Sequence, residues 1–189
     1  MIAALCDGDN AVKWRAVEVM GAVVARMAEK DIETARNVMR RLMWSLNDES
    51  GGIGWGAPET MAEIAARNLR IAREFAHVIV SYAREDGNYL EYEPLQRGLM
   101  WAIGRLAGAW PELVEGAEIY VAPFLESPDP AVRGQAARTL GIMKAGDYLE
   151  PLGRLVGDEK EFNLYAGGKI TTLTVGESAR EAVASIERL

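Results

Sequence analysis

Two short segments repeat one arrangement of chemically useful residues. Trp14-Arg15-Ala16-Val17-Glu18 and Trp55-Gly56-Ala57-Pro58-Glu59 both read Trp-x-Ala-x-Glu. On a helix, residues four apart are surface neighbours, so each indole is set beside a carboxylate. That pair suits a cation, because the ring quadrupole attracts the charge and the carboxylate pairs with it. A third segment carries Arg97 and Trp101 at the same spacing, and Arg138 and Glu181 follow along the chain. The competing reading is that Trp14 and Trp55 pack between helices while Glu18 and Glu59 are solvated or pair with Arg15 or Arg97. Tryptophan is a frequent interaction hot spot, so Trp14, Glu18, Trp55, Glu59, Arg97, Trp101 and Arg138 are candidate partner-binding residues.

The run from Asn47 through Asp48, Glu49, Ser50, Gly51, Gly52, Ile53 and Gly54 to Trp55 and Gly56 concentrates glycine, which costs conformational entropy unless close backbone approach requires it. It fails as a phosphate loop, having no following Lys-Ser/Thr and no preceding strand. A tight turn with close helix packing and a nest of amides for a carboxylate both remain open. Asp48 and Glu49 join the candidate list. The loop from Glu85 to Glu93 adds Asp86, Glu91 and two tyrosines, Tyr89 and Tyr92, at the same end of the repeats, without the ligand spacing of a calcium loop. It reads as a solvated connection.

Composition narrows the function classes. One cysteine, Cys6, and one histidine, His77, cannot supply the Cys/His set of a zinc site, and His77 reads as a helix-packing residue. No metal or other cofactor is expected. A lone cysteine agrees with a reducing cytoplasm. The net charge of -7 argues against a nucleic-acid partner, which needs a basic footprint. Acid at Asp7 interrupts the N-terminal apolar start before a signal core forms, and no later apolar stretch is long enough to span a membrane.

What positions these residues is an internal repeat. Val12-Lys13-Trp14-Arg15-Ala16 with Met20-Gly21 matches Val132-Arg133-Gly134-Gln135-Ala136 with Leu140-Gly141. Further matches begin at Ile53, Leu95 and Val175, so the starts fall at 12, 53, 95, 132 and 175, with a period of about 40 that signifies paired helices. Helical apolar spacing precedes the later matches over Asp31 to Leu46, Asn68 to Arg84, Pro111 to Leu125 and Asp147 to Val156. Phe162 to Tyr165 and Ile170 to Leu173 flank Gly167-Gly168 as a hairpin. The hairpin is expected at the rim, about 161–174, contributing little to the core.

Asp129-Pro130-Ala131-Val132-Arg133 followed by Ala136 and Leu140-Gly141 resembles the HEAT repeat family, in the short bacterial form described as HEAT-like or phycobilisome-lyase-like. The resemblance implies an all-α, right-handed α-solenoid of about five helix pairs, one domain over 1–189 with the hairpin inserted in the last repeat. It implies that second helices line a concave groove, with Trp14, Trp55, Arg97, Gly134 and Glu177 in one slot and Glu18, Glu59, Trp101, Arg138 and Glu181 one turn on. The layout is similar to the Trp-x-x-x-Asn ladders with which importin-type armadillo proteins hold basic peptides, with Glu in place of Asn.

The expected function is a non-enzymatic scaffold that binds a protein or basic peptide, without nucleic acid or membrane. The alternatives are a chaperone or lyase-like accessory for a prosthetic group, and a relative of HEAT-like DNA glycosylases, against which the acidic balance argues. The iron-binding hydroxylases of this architecture use repeated His-Glu pairs, which one histidine excludes. The first repeat has little before the Asp7-Gly8-Asp9-Asn10 turn. The face of Val12, Ala16, Val19 and Val23 is therefore expected to be covered by upstream sequence or by a second copy as a homodimer.

Overall fold

The computed structural model describes residues 2–47 and 54–188. Its helices are α1 (Ile2–Leu5), α2 (Asn10–Lys30), α3 (Ile32–Leu46), α4 (Ala57–Arg67), α5 (Leu69–Ser81), α6 (Glu93–Ala109), α7 (Glu118–Val121), α8 (Pro130–Met143), α9 (Leu149–Leu155) and α10 (Val175–Ile186). One antiparallel hairpin, β1 (Glu161–Ala166) and β2 (Lys169–Thr174), precedes α10. Among the described residues the fold is helical apart from this hairpin, as the repeat pattern predicts. The chain divides into two compact units, Met1–Val114 and Glu115–Leu189.

Local chemistry sets the helix starts. Asp31 Oδ1 accepts from the amides of Glu33 and Thr34 at 3.0 and 3.3 Å, ending α2 and opening α3. Asp129 caps α8 in the same way ahead of Pro130, whose missing amide proton costs nothing at a first helical position. Thr174 and Glu177 form a reciprocal capping box on α10.

In the first unit α4 is the centre. It packs on α2, α3, α5 and α6, and each residue from Ala57 to Ala65 is buried. A helix contacted on all sides loses its polar face, which forces any charged residue on it to find an internal partner. The outer pair α3 and α5 is joined by Arg36, whose Nε and one terminal nitrogen donate to Glu74 at 2.7 and 2.6 Å. That hydrogen bonding holds the Glu74 carboxyl below its ordinary range. His77 lies on the solvent side of α5, opposite the buried row of Ile71, Phe75 and Ile79. The packing role expected for it is therefore overturned by helical phase.

The first unit's N-terminal edge is covered in part. Leu5 of α1 is buried and lies against Gly56, which adopts φ +71° immediately before α4. Val12, Val19 and Val23 nevertheless remain exposed along α2.

The chain after α6 departs from the expected regular pairs. Instead of one helix over Pro111 to Leu125, the chain makes a 3-10 turn at Pro111–Leu113, bends at Gly116 (φ +80°), and forms only α7 before a second 3-10 turn, Ala122–Glu126. The positive φ at Gly116 ends the first turn, and Pro123 lacks the amide proton that would extend α7. α8 and α10 pack on each other, with α9 against α10.

The hairpin is where 161–174 predicts it, with Ala166 opposite Lys169 across a Gly167-Gly168 turn of positive φ. Its expected minor role is overturned. Phe162, Leu164 and Tyr165 are buried, and the Phe162 ring occupies the space a side chain at Gly134 of α8 would need. Phe162→Ala should therefore destabilise the protein by about 3–5 kcal/mol. Gly134→Ala should also lower the urea midpoint, through ring displacement. A midpoint unchanged by both would show that the hairpin is not part of the core.

Candidate functional site

The N-terminal turns of α2, α4 and α6 bring the repeated motif together. Glu59, one turn into α4, is 2% exposed, and its Oε1 is 2.6 Å from the ammonium of Lys13 on α2. On the other flank Gly98 of α6 faces it, where an added Cβ would fall 2.5 Å from the carboxyl carbon. Lys13 also stands 5.1 Å from the centroid of the Trp14 ring. Trp14 is half-buried and meets Trp101 of α6 with ring centroids 4.8 Å apart at 56°. The indole and carboxylate that meet a cation therefore come from different segments, Trp14 and Glu59, rather than from the Trp14/Glu18 and Trp55/Glu59 pairs the spacing suggests, and the cation between them is the chain's own Lys13.

One turn further along α4 lies a carboxylate that sequence reading missed. Glu63 is 4% exposed. Its Oε1 accepts from Arg67 at 2.6 Å and its Oε2 from Arg105 of α6 at 2.7 Å. Here the small residue is on the opposite flank, since Gly21 of α2 leaves room for the Glu63 stem. Two acids four residues apart are thus braced in alternation, Glu59 by a base from α2 against a glycine of α6, Glu63 by a base from α6 against a glycine of α2. The available signal was the Glu59/Glu63 spacing inside an otherwise small and apolar segment.

The remaining candidates are dispersed. Trp55 stays 37% exposed at the start of α4, edge-on to Tyr92 at 6.2 Å between centroids. Tyr92 is 47% exposed, and Tyr89 of the same connection receives a long hydrogen bond of 3.4 Å from Gln96 Nε2. Glu18 is half-buried on α2, Arg97 is exposed on α6, and Arg138 is half-buried on α8 in the second unit. Asp48 and Glu49 lie outside the described residues. Among the described residues, no three of His, Cys, Asp and Glu converge as a metal site. No described helix is long and apolar enough to cross a membrane.

Comparison with known proteins agrees with this architecture. Residues 93–143 match the family model of the HEAT-like repeat. An uncharacterised protein of Archaeoglobus fulgidus is 33% identical over 119 residues, which cover 61% of this chain and 58% of that protein. An engineered protein of known structure is similar over 98% of this chain and 77% of its own, with a TM-score of 0.60 at 18% identity. Computationally designed armadillo repeat proteins for modular peptide recognition are similar over 98% and 80%, with a TM-score of 0.56 at 18% identity. The fold is that of a helical repeat of the armadillo type, and residues 93–143 carry the HEAT-like repeat pattern.

Replacing Lys13 by Met leaves Glu59 buried without its base, and should cost about 3 kcal/mol in urea denaturation. Adding Glu59→Gln should restore most of that loss. A Lys13→Met variant as stable as the parent would show that the ion pair does not hold α2 to α4.

Proposed function

We propose that the chain is a non-enzymatic scaffold that binds a basic protein or peptide segment, and that Trp55, Tyr89 and Tyr92 form the contact edge. The observation that carries this reading is the exposed Trp55 ring set edge-on to Tyr92. Rings fixed by one another present apolar area at little conformational cost, which is the character of a binding hot spot. Glu85, Glu91 and Glu93 are exposed on the same connection, whereas Asp86 is engaged by Arg84 at 2.9 Å. Carboxylates around aromatic rings favour Lys or Arg side chains. Trp14, Glu59 and Trp101 support that edge as a fixed base, since Trp55 stands two residues ahead of α4, whose first turn carries Glu59. A reducing cytoplasm is the compartment that fits the single, exposed Cys6.

Titrating tryptophan fluorescence with Lys/Arg hexapeptides should give saturable binding that weakens with salt, and acidic hexapeptides should give none. Trp55→Ala with Tyr92→Ala should weaken it at least about tenfold. Equal binding by parent and double variant would remove this edge from the function.

A second reading rests on α2. Val19 is 50% exposed and lies on one helical face with Val12 and Val23. We propose that a second copy of the chain covers this face in an antiparallel pairing, which sets the exposed Asp7 and Asp9 of one copy near Arg26 and Lys30 of the other. Sedimentation should show concentration-dependent dimers that dissociate in the Val12→Glu/Val19→Glu variant. A monomer at high concentration rejects the pairing.

A further inference from the structure

The second unit holds an arginine whose hydrogen-bonding capacity is unused. α8 and α10 leave a cavity of about 510 Å³ between them, lined by Arg138, Gly141, Ser178, Glu181, Ser185 and Arg188 among others. The two helices are close because Gly141 faces the backbone of Ala182, where an added Cβ would lie 2.6 Å from its Cα. Arg138 is half-buried, and among the described residues it makes no hydrogen bond and no ion pair. Burial pushes its guanidinium below the ordinary value, and Glu181, acting without an ion pair, offsets this only in part. Arginine stays protonated in proteins, so a desolvated guanidinium presents its donors to whatever enters the cavity.

The other polar groups narrow what that ligand is. Ser178 Oγ donates to the carbonyl of Gly134 at 2.8 Å, and Ser185 Oγ to that of Gly141 at 3.1 Å. Their hydroxyl protons are spent, which leaves the guanidinium as the strong donor. Arg138 and Arg188 against Glu181 make the lining net positive, in a chain whose net charge is -7.

We propose that the α8/α10 cavity binds a carboxylate of a peptide ligand, with Arg138 as its bidentate donor and Arg188 adding positive charge. A planar carboxylate matches the guanidinium fork and supplies the acceptors Arg138 lacks. Acidic side chains and chain ends both carry this group. The site is separate from the aromatic edge of the first unit and does not depend on it.

The full chain, labelled with ¹⁵N, would be titrated with acetyl-Gly-Asp-Gly-amide and with acetyl-Gly-Ala-Gly bearing a free carboxyl end. Acetyl-Gly-Asn-Gly-amide serves as the neutral control. Saturable amide shifts over 138–142 and 178–188 are expected with a carboxylate peptide and not with the control. The side-chain and chain-end arms identify the source. Arg138→Met should weaken the response at least about tenfold, while its melting temperature holds or rises, because an apolar side chain replaces an unpaired, desolvated charge. Glu181→Gln should tighten binding by removing the like charge. Three results would each overturn the proposal: no shifts with either carboxylate peptide, undiminished binding by Arg138→Met, or a melting temperature several degrees lower in that variant, which would reveal an internal acceptor. Trp55→Ala should leave this binding intact, so failure here and failure of the aromatic edge are read separately.

Discussion

Two carboxylates buried on α4, Glu59 and Glu63, constrain the first unit more than any single apolar contact. Removing an ionised carboxyl from water costs several kcal/mol, so each must be met by a base at short range wherever the helices settle. The bases come from both flanks and from α4 itself: Lys13 on α2, Arg105 on α6 and Arg67. Apolar side chains tolerate small slides between helices, whereas a buried ion pair does not. These pairs therefore fix the register of α2 and α6 on α4, with Gly98 and Gly21 providing space for the acids.

That constraint changes the meaning of the tryptophans. Trp14 and Trp101 meet across the neighbouring helices, and Lys13 reaches both the Trp14 ring and Glu59. An arrangement with the chemistry of a cation receptor thus serves as a structural brace. Exposed aromatic surface is left at the ends of the repeats, at Trp55 and Tyr92, and on α3 at Trp44, where helix packing does not consume it. The second unit shows the converse in Arg138, a half-buried charge that makes no hydrogen bond or ion pair among the described residues and is offset only in part by the nearby charge of Glu181.

Most of the helical elements could be read from the sequence because their causes are local. Capping by Asp31 and Asp129, the Thr174/Glu177 box, the apolar spacing and the Gly167-Gly168 turn act over a few residues. The same reasoning failed over 111–125, where apolar spacing suggested one helix but Gly116 and Pro123 broke it into short turns. It also placed His77 in a packing role, because an apolar neighbourhood in sequence does not specify helical phase.

A helical repeat with a period of about 40, a hairpin near its end, and tryptophan, glutamate and arginine at recurring positions are all legible in the order of residues. Which of those side chains are spent internally is set by the packing of the helices. Lys13 and Glu59 lie far apart along the chain, as do Arg105 and Glu63, and Gly134 and Phe162. Whether such groups meet depends on how closely neighbouring helices approach, and hence on glycine positions and packing that no local pattern encodes. The exposure of Trp55, the enclosure of Glu59 and the unmet donors of Arg138 follow from that approach distance.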